Sequence, residues 1–307
     1  MMKLLNFSPK AIHTPKLGVV FSNGKILDVK EAYRNLREAE PPSWFSNVDE
    51  LISGGEDALE LLKKFINNLS ESKVEEYLYD SDNVIYYPPI LKPSKVLNMS
   101  VNYITHGKEA KLNELPKEPY LFVKLSTCLI GHKQPIIIPK SSKEVDYEGE
   151  LAVVIGKRCK NVTKSEVYRY IIGYTIFNDV SYRDRRLHQM MKEFGINWLH
   201  GKSLDNGSPI GPWLVTKDEI EDPHNLYLVT MVNDEVRQND NTRNMIFKIP
   251  EIIEYASSDI TLYPGDIIST GTPSGVGLGT GKYLKAGDIV TVRIEKIGEL
   301  QNNVINK

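Results

Sequence analysis

The sequence predicts a mostly β, mixed α+β fold, with a small α/β region over residues 1–88 and a larger strand-rich region over 89–307. Three observations carry this expectation. Strand-like runs dominate beyond residue 93: Tyr120–Lys124, Pro135–Pro139, Glu150–Ile155, Leu226–Val232 and Asp288–Ile294. They are rich in β-branched and aromatic residues, which suit a pleated, half-buried surface. Turns separate them more often than helical stretches do, which argues against a doubly wound parallel sheet. Finally, Pro88-Pro89-Ile-Leu-Lys-Pro93 marks a junction, since each proline removes a donor and restricts its neighbour.

Along the chain, Leu17 to Val29 reads as a hairpin around Ser22-Asn23-Gly24-Lys25, where Asn-Gly suggests a type I′ turn. A Pro41-Pro42 loop follows. From Glu56 to about Ser70, Leu59, Leu62, Phe65, Ile66 and Leu69 recur at helical spacing. Further helices are expected after Thr163, whose hydroxyl suits an N-cap, from Ser181 to about Glu193, and after Pro250. No internal repeat or low-complexity segment interrupts the pattern.

With 307 residues, 41% hydrophobic and 25% charged, the chain can bury one large core or a large and a small one. A net charge of −2 makes no case for nucleic acid or an anionic membrane. The run Arg183-Asp184-Arg185-Arg186 reads as a solvated helix face. No apolar run approaches the roughly 20 residues of a membrane span. The N-terminus turns polar too soon for a signal-peptide core. Cys128 and Cys159 are too few for a disulfide framework or zinc cage. Two free thiols in a reducing cytoplasm are therefore expected.

The chemistry concentrates in a few places. In Asp146-Tyr147-Glu148-Gly149-Glu150, a strand would point Glu148 and Glu150 to one face. Adjacent carboxylates repel unless a cation lies between them. Oxygen ligands without nearby Cys or His favour Mg²⁺, Mn²⁺ or Ca²⁺ over zinc. Solvated acids at a strand edge are the plainer alternative. Asp179, at the end of the apolar Gly173–Asn178 run, supplies a third carboxylate, although Asp179 or Ser181 could simply cap a helix. Three carboxylates on one divalent ion leave positions for water and substrate.

His106 and Glu109 are three apart and share a face on a helix, so the carboxylate can fix the imidazole tautomer. Such pairs are also common surface contacts. Lys202 follows Gly201 and could hold a substrate carboxylate or an oxyanion, or simply snorkel. The glycine-rich Ser269–Lys282 stretch fits neither Gly-x-Gly-x-x-Gly nor the Walker pattern, because Val276 and Tyr283 stand at required positions. It reads as a tight substrate-facing loop whose backbone and Thr272 can reach a carboxylate. Gly-x-Ser-x-Gly and His-Glu-x-x-His are both absent.

Taken in order, these stretches resemble the fumarylacetoacetate hydrolase superfamily. The resemblance runs from Pro93-Ser-Lys-Val through Asn102-Tyr103…His106…Glu109, Phe122-Val-Lys124 and Asp146–Gly156. It continues with Gly173-Tyr…Asp179-Val-Ser-Tyr-Arg183-Asp184, Gly201-Lys202-Ser, Val232-Asn233…Arg237-Gln238 and Gly265–Gly277. It implies a β-roll-like catalytic domain, Mg²⁺ or Mn²⁺, and commonly a homodimer. It further implies Glu148, Glu150 and Asp179 as metal ligands and His106, Glu109 and Lys202 as catalytic residues. Lys124, Gln238 and Thr272 become substrate contacts. The implied activity is hydrolysis of a C–C bond in acylpyruvates or fumarylacetoacetate-like 2-oxo acids. The alternative is isomerisation of 2-hydroxyhepta-2,4-diene-1,7-dioate, or decarboxylation of 2-oxo acids from aromatic catabolism. Asn98-Met99-Ser100-Val101 departs from the family, replacing the small, glycine-containing stretch usual before Asn-Tyr. Leu125 stands where proline often follows the lysine.

Overall fold

A computed structural model describes residues 2–186 and 195–307. Ten strands form its main sheet path: β1 (Lys3–Pro9), β2 (Lys16–Val20), β3 (Ile26–Asp28), β4 (Leu78–Tyr79), β5 (Val96–Met99), β6 (Leu121–Lys124), β7 (Gly149–Ile155), β8 (Ile171–Asn178), β9 (Ser208–Thr216) and β10 (Ile267–Ser269). Their spatial order is β4-β3-β2-β1-β9-β8-β7-β10-β5-β6. A second sheet orders Glu235–Asn241, Tyr227–Val232, Ile289–Ile294, Gly298–Asn306 and Ile136–Ile138. The fold is thus strand-rich and mixed, as the sequence predicts.

The apolar run of β7 is buried along its whole length because both sheet faces are covered. Leu151, Val153 and Ile155 pack with Ile249, Ile252 and Ile253 of the helix Ile249–Ser257. Ala152 and Val154 face the other way, onto Val48, Leu51 and Leu62. Leu62 belongs to α2 (Gly55–Asn67), which follows α1 (Val29–Arg37) in the N-terminal region. Each fully buried aliphatic side chain contributes about 1.5–3 kcal/mol. β1 pairs with β9, so hydrogen bonding runs unbroken from the N-terminal strands into the strands beyond residue 93.

Three local expectations are corrected. The Asn23-Gly24 hairpin exists, but only Gly24 has positive φ, at 81°. Gly24 N donates to Phe21 O and Phe21 N to Lys25 O, giving a three-residue loop with a glycine bulge instead of type I′. Thr163 caps no α-helix: its hydroxyl bonds the Glu166 carboxylate, and one 3-10 turn, Val167–Arg169, precedes β8. The chain must re-enter the sheet at Ile171, which leaves no room for more. Ser181-Tyr182 is a short strand paired with Val145-Asp146, and the helix begins only at Arg183. The rest of that expected helix, residues 187–194, lies outside the described residues.

Candidate metal centre and active site

Strand register assembles the carboxylates. β7 and β8 run antiparallel with Gly149 opposite Asn178 and Glu150 opposite Phe177. The start of β7 therefore meets the end of β8, and Glu148, Glu150 and Asp179 share one end of the sheet. Asp179 N donates to Glu148 O at 2.9 Å, fixing this corner. Oxygens of all three carboxylates lie within 4.8 Å of one another, and all three residues are buried.

Their partners differ. Glu150 Oε2 accepts from Ser269 Oγ at 2.5 Å and Gly271 N at 2.9 Å, whereas Oε1 is buried without a partner among the described residues. Burial, then the Asp179 and Glu148 carboxylates, push the Glu150 carboxyl well above its ordinary range. Burial also opposes ionisation of Glu148, but Lys202 and Arg183 beside it hold its carboxyl well below that range. Lys202 Nζ lies 3.0 Å from Glu148 Oε2 and 2.5 Å from Asp179 Oδ2. Lys124 Nζ donates to Asp179 Oδ1 at 2.6 Å and to two carbonyls.

This donor set fits a divalent cation. An orphaned carboxylate oxygen and three converging hard oxygen ligands are the donor chemistry that a divalent cation takes. Asp146 adds a fourth buried carboxylate, paired with Arg183 at 2.7 Å. Four carboxylates thus face the three cations Lys124, Arg183 and Lys202, and a divalent ion would turn a formal −1 into +1. That balance suits an anionic substrate.

The reading of Arg183 as solvated is corrected. Its guanidinium is 4% exposed and bridges Asp146 and Glu148 from the end of the short Ser181-Tyr182 strand. Sequence reasoning missed it because a broken charge run usually marks a surface. The signal was available in Asp146, Glu148 and Glu150 at period two together with Asp179: four carboxylates, one more negative charge than a divalent ion and Lys202 offset. Neither Asp179 nor Ser181 caps a helix; Ser181 Oγ donates to Glu148 Oε1 at 2.7 Å.

His106 and Glu109 sit on α3 (Ile104–Glu109), with His106 Nδ1 3.0 Å from Glu109 Oε2. Glu109 Oε1 accepts from Gly275 N at 2.9 Å. The glycine-rich loop does reach carboxylates through its backbone, but they are the protein's own: Gly271 serves Glu150, Gly275 serves Glu109, and Gly277 and Leu278 serve Asp146. Gly275 has φ 103°, and a Cβ there would collide with the Arg237 carbonyl. A cavity of about 380 Å³ opens above this corner, and His106, Glu109, Glu148, Lys202 and Thr272 line it. Phe122 and Trp198 stack at 4.4 Å as one wall. Lys124 and Gln238 lie behind the lining. The Gln238 amide joins Gly149 N to Thr272 Oγ1 and Pro273 O.

A buried carboxylate triad that could hold a metal ion, with its Glu148 lining one cavity beside His106, Glu109 and Lys202, is an arrangement of the fumarylacetoacetate hydrolase type. The chain belongs to that family: the model of the fumarylacetoacetate (FAA) hydrolase C-terminal domain matches residues 95–305. Oxaloacetate tautomerase fahd2, mitochondrial, of Xenopus laevis is 38% identical, covering 99% of this chain and 90% of the relative. Human oxaloacetate tautomerase FAHD2A, mitochondrial, is 35% identical over 99% of this chain and 92% of its own. Among solved structures, maleylpyruvate hydrolase from Sphingobium sp. SYK-6 with manganese(II) and pyruvate aligns with TM-score 0.74 and 30% identity, covering 99% of both chains. The 2-hydroxyhepta-2,4-diene-1,7-dioate isomerase of Mycobacterium marinum gives 0.72 and 31%, over 100% of this chain and 99% of that one. Among the described residues no helix is long and apolar enough to cross a membrane.

Proposed function

We propose that this protein is a divalent-metal-dependent tautomerase of small 2-oxo acids, with oxaloacetate as the first substrate to test. The observation that carries the reading is the His106–Glu109 pair opening onto the same cavity as Glu148 and Lys202. Glu148, Glu150 and Asp179 would hold Mg²⁺ or Mn²⁺, which supplies Lewis-acid polarisation of the 2-oxo group. Lys202 steadies negative charge on the substrate oxygens. Glu109 holds the proton on His106 Nδ1, which leaves Nε2 as the base. Nε2 takes a proton from C3, the C–H electron pair forms the C2=C3 bond, and the carbonyl pair moves to O2. The protonated His106 then gives its proton to O2, directly or through water, and returns to its starting form. Phe122 and Trp198 shield the enol from water.

Hydrolysis of acylpyruvates is the second reading. The same pair can instead draw a proton from water, and the likeness to maleylpyruvate hydrolase favours it. Enol absorbance of oxaloacetate, followed with Mn²⁺ and then EDTA, tests the first reading. Pyruvate release from an acylpyruvate tests the second. Metal-dependent pyruvate release with no acceleration of oxaloacetate enolisation would replace tautomerase by hydrolase. We further propose a reducing compartment such as the cytoplasm, in which Cys128 and Cys159 stay free thiols.

A further inference from the structure

Asn98 opens the Asn98–Val101 stretch that departs from the family resemblance, and its surroundings give it a role. It lies in β5 among Val96, Leu97 and Met99, all apolar and buried. Its own side chain is 0% exposed, yet neither Oδ1 nor Nδ2 has a hydrogen-bond partner among the described residues. An amide offers two donors and an acceptor with two lone pairs. Leaving such groups buried and unmade costs about 1–3 kcal/mol apiece. A leucine of similar shape would avoid that cost.

Register shows what the amide faces. Asn98 pairs with Ser269 of β10 on one side and with Phe122 of β6 on the other. Val96 packs in the cluster that holds Ala152 and Val154, and period two turns Asn98 to that same face. Glu150 shares this face, two residues before Ala152. Ser269 hydrogen-bonds Glu150, and Phe122 walls the cavity. The amide therefore stands between a partner of a candidate metal ligand and a wall of the substrate cavity. Glu150 Oε1, on that same face, is likewise buried without a partner among the described residues, as is the Tyr103 hydroxyl.

We infer that Asn98 is a positioning residue for the metal centre, its amide hydrogen-bonding the Glu150 carboxylate, directly or across one ordered water, when the metal is bound. The carboxylate is then held already oriented, with Ser269 and Gly271 on Oε2 and Asn98 toward Oε1. Partners of this kind typically govern metal affinity by 10- to 100-fold. The inference rests on the metal reading of the Glu148, Glu150 and Asp179 cluster.

The test is Mn²⁺ titration of the full-length protein, with free Mn²⁺ read by electron paramagnetic resonance and thermal midpoints measured in EDTA. Asn98→Leu is expected to weaken Mn²⁺ binding about tenfold or more, with a midpoint in EDTA equal to or above that of the parent. Asn98→Ser, which keeps a hydroxyl and space for water, is expected to recover most of the affinity. Unchanged Mn²⁺ affinity in Asn98→Leu overturns the inference. So does a loss of affinity that Asn98→Ser does not relieve. Should the leucine variant not fold, the smaller Asn98→Val replaces it under the same criteria. A parent protein that takes up no Mn²⁺ removes the metal reading itself, a different result from a parent that binds normally beside an unaffected variant.

Discussion

Lys202 Nζ sits between Glu148 Oε2 and Asp179 Oδ2, at 3.0 and 2.5 Å, and is itself buried. The ammonium holds together two carboxylates that would otherwise repel, and it presents its charge to the cavity. Lysine and metal therefore share the work of neutralising one acidic corner.

Lys202→Met keeps the side-chain length and removes the charge. Activity is expected to fall by a factor of 10² or more. Stability in EDTA is expected to drop by about 3–5 kcal/mol, as for any buried pair deprived of one partner. Urea denaturation with EDTA and with Mn²⁺ measures this, and Mn²⁺ should stabilise the variant more than it stabilises the parent.

Glu109 binds His106 with one oxygen and Gly275 N with the other. Thr105 Oγ1 donates to Asp240 Oδ2 at 2.7 Å, so α3 is pinned at both ends. Glu109→Gln should cost about 10²–10⁴ in kcat, the usual scale for an impaired general base. Thr105→Val should cost less, on the order of tenfold, as a loosened position for the same base. Steady-state kinetics at saturating Mn²⁺ would show whether the two losses have this order.

Arg183 offsets Asp146 and Glu148 together, through Nε and NH2. Arg183→Lys retains the charge but cannot bridge two carboxylates in a fork. A loss of about 2–4 kcal/mol is expected, read from the denaturant midpoint. A variant as stable as the parent would mean that solvent reaches this corner.

His132 lies away from the site and makes stability depend on pH. Its Nδ1 accepts from Gln301 N at 3.0 Å, and its ring meets Tyr86 edge-on at 4.8 Å. Burial, then the nearby Lys133, push its pKa down to about 4 from 6.5. Between those values the unfolded chain binds the proton and the folded chain does not. The contribution is therefore complete above pH 6.5 and is lost as pH falls toward 4, by roughly 3 kcal/mol at most. In His132→Gln, stability measured from pH 7 to 4 should fall less steeply by that amount.

The hairpin at Asn23-Gly24, the helix around Leu62 and the strands from Glu150 and Ile289 were legible because each follows from local periodicity and turn chemistry. The same holds for the carboxylates: spacing alone puts Glu148 and Glu150 on one side, and an apolar run ending before Asp179 places an acid at the end of a strand. Failures came where the outcome depended on distant partners. Thr163 loses its helix because β8 must begin at Ile171. Arg183 is buried because two residues of strand aim it at Asp146 and Glu148, some 35 positions away.

By itself the sequence determined the strand-rich class, the chemical character of the acidic corner and the pairing of His106 with Glu109, since these rest on neighbours within a few residues. Only the tertiary structure decided that β10 inserts between β7 and β5. That insertion sets Ser269 against Glu150 and Asn98 beside Ser269. Contacts of this kind join segments more than a hundred residues apart. No local propensity encodes them, because they arise when the whole chain chooses the sheet order that buries its apolar faces.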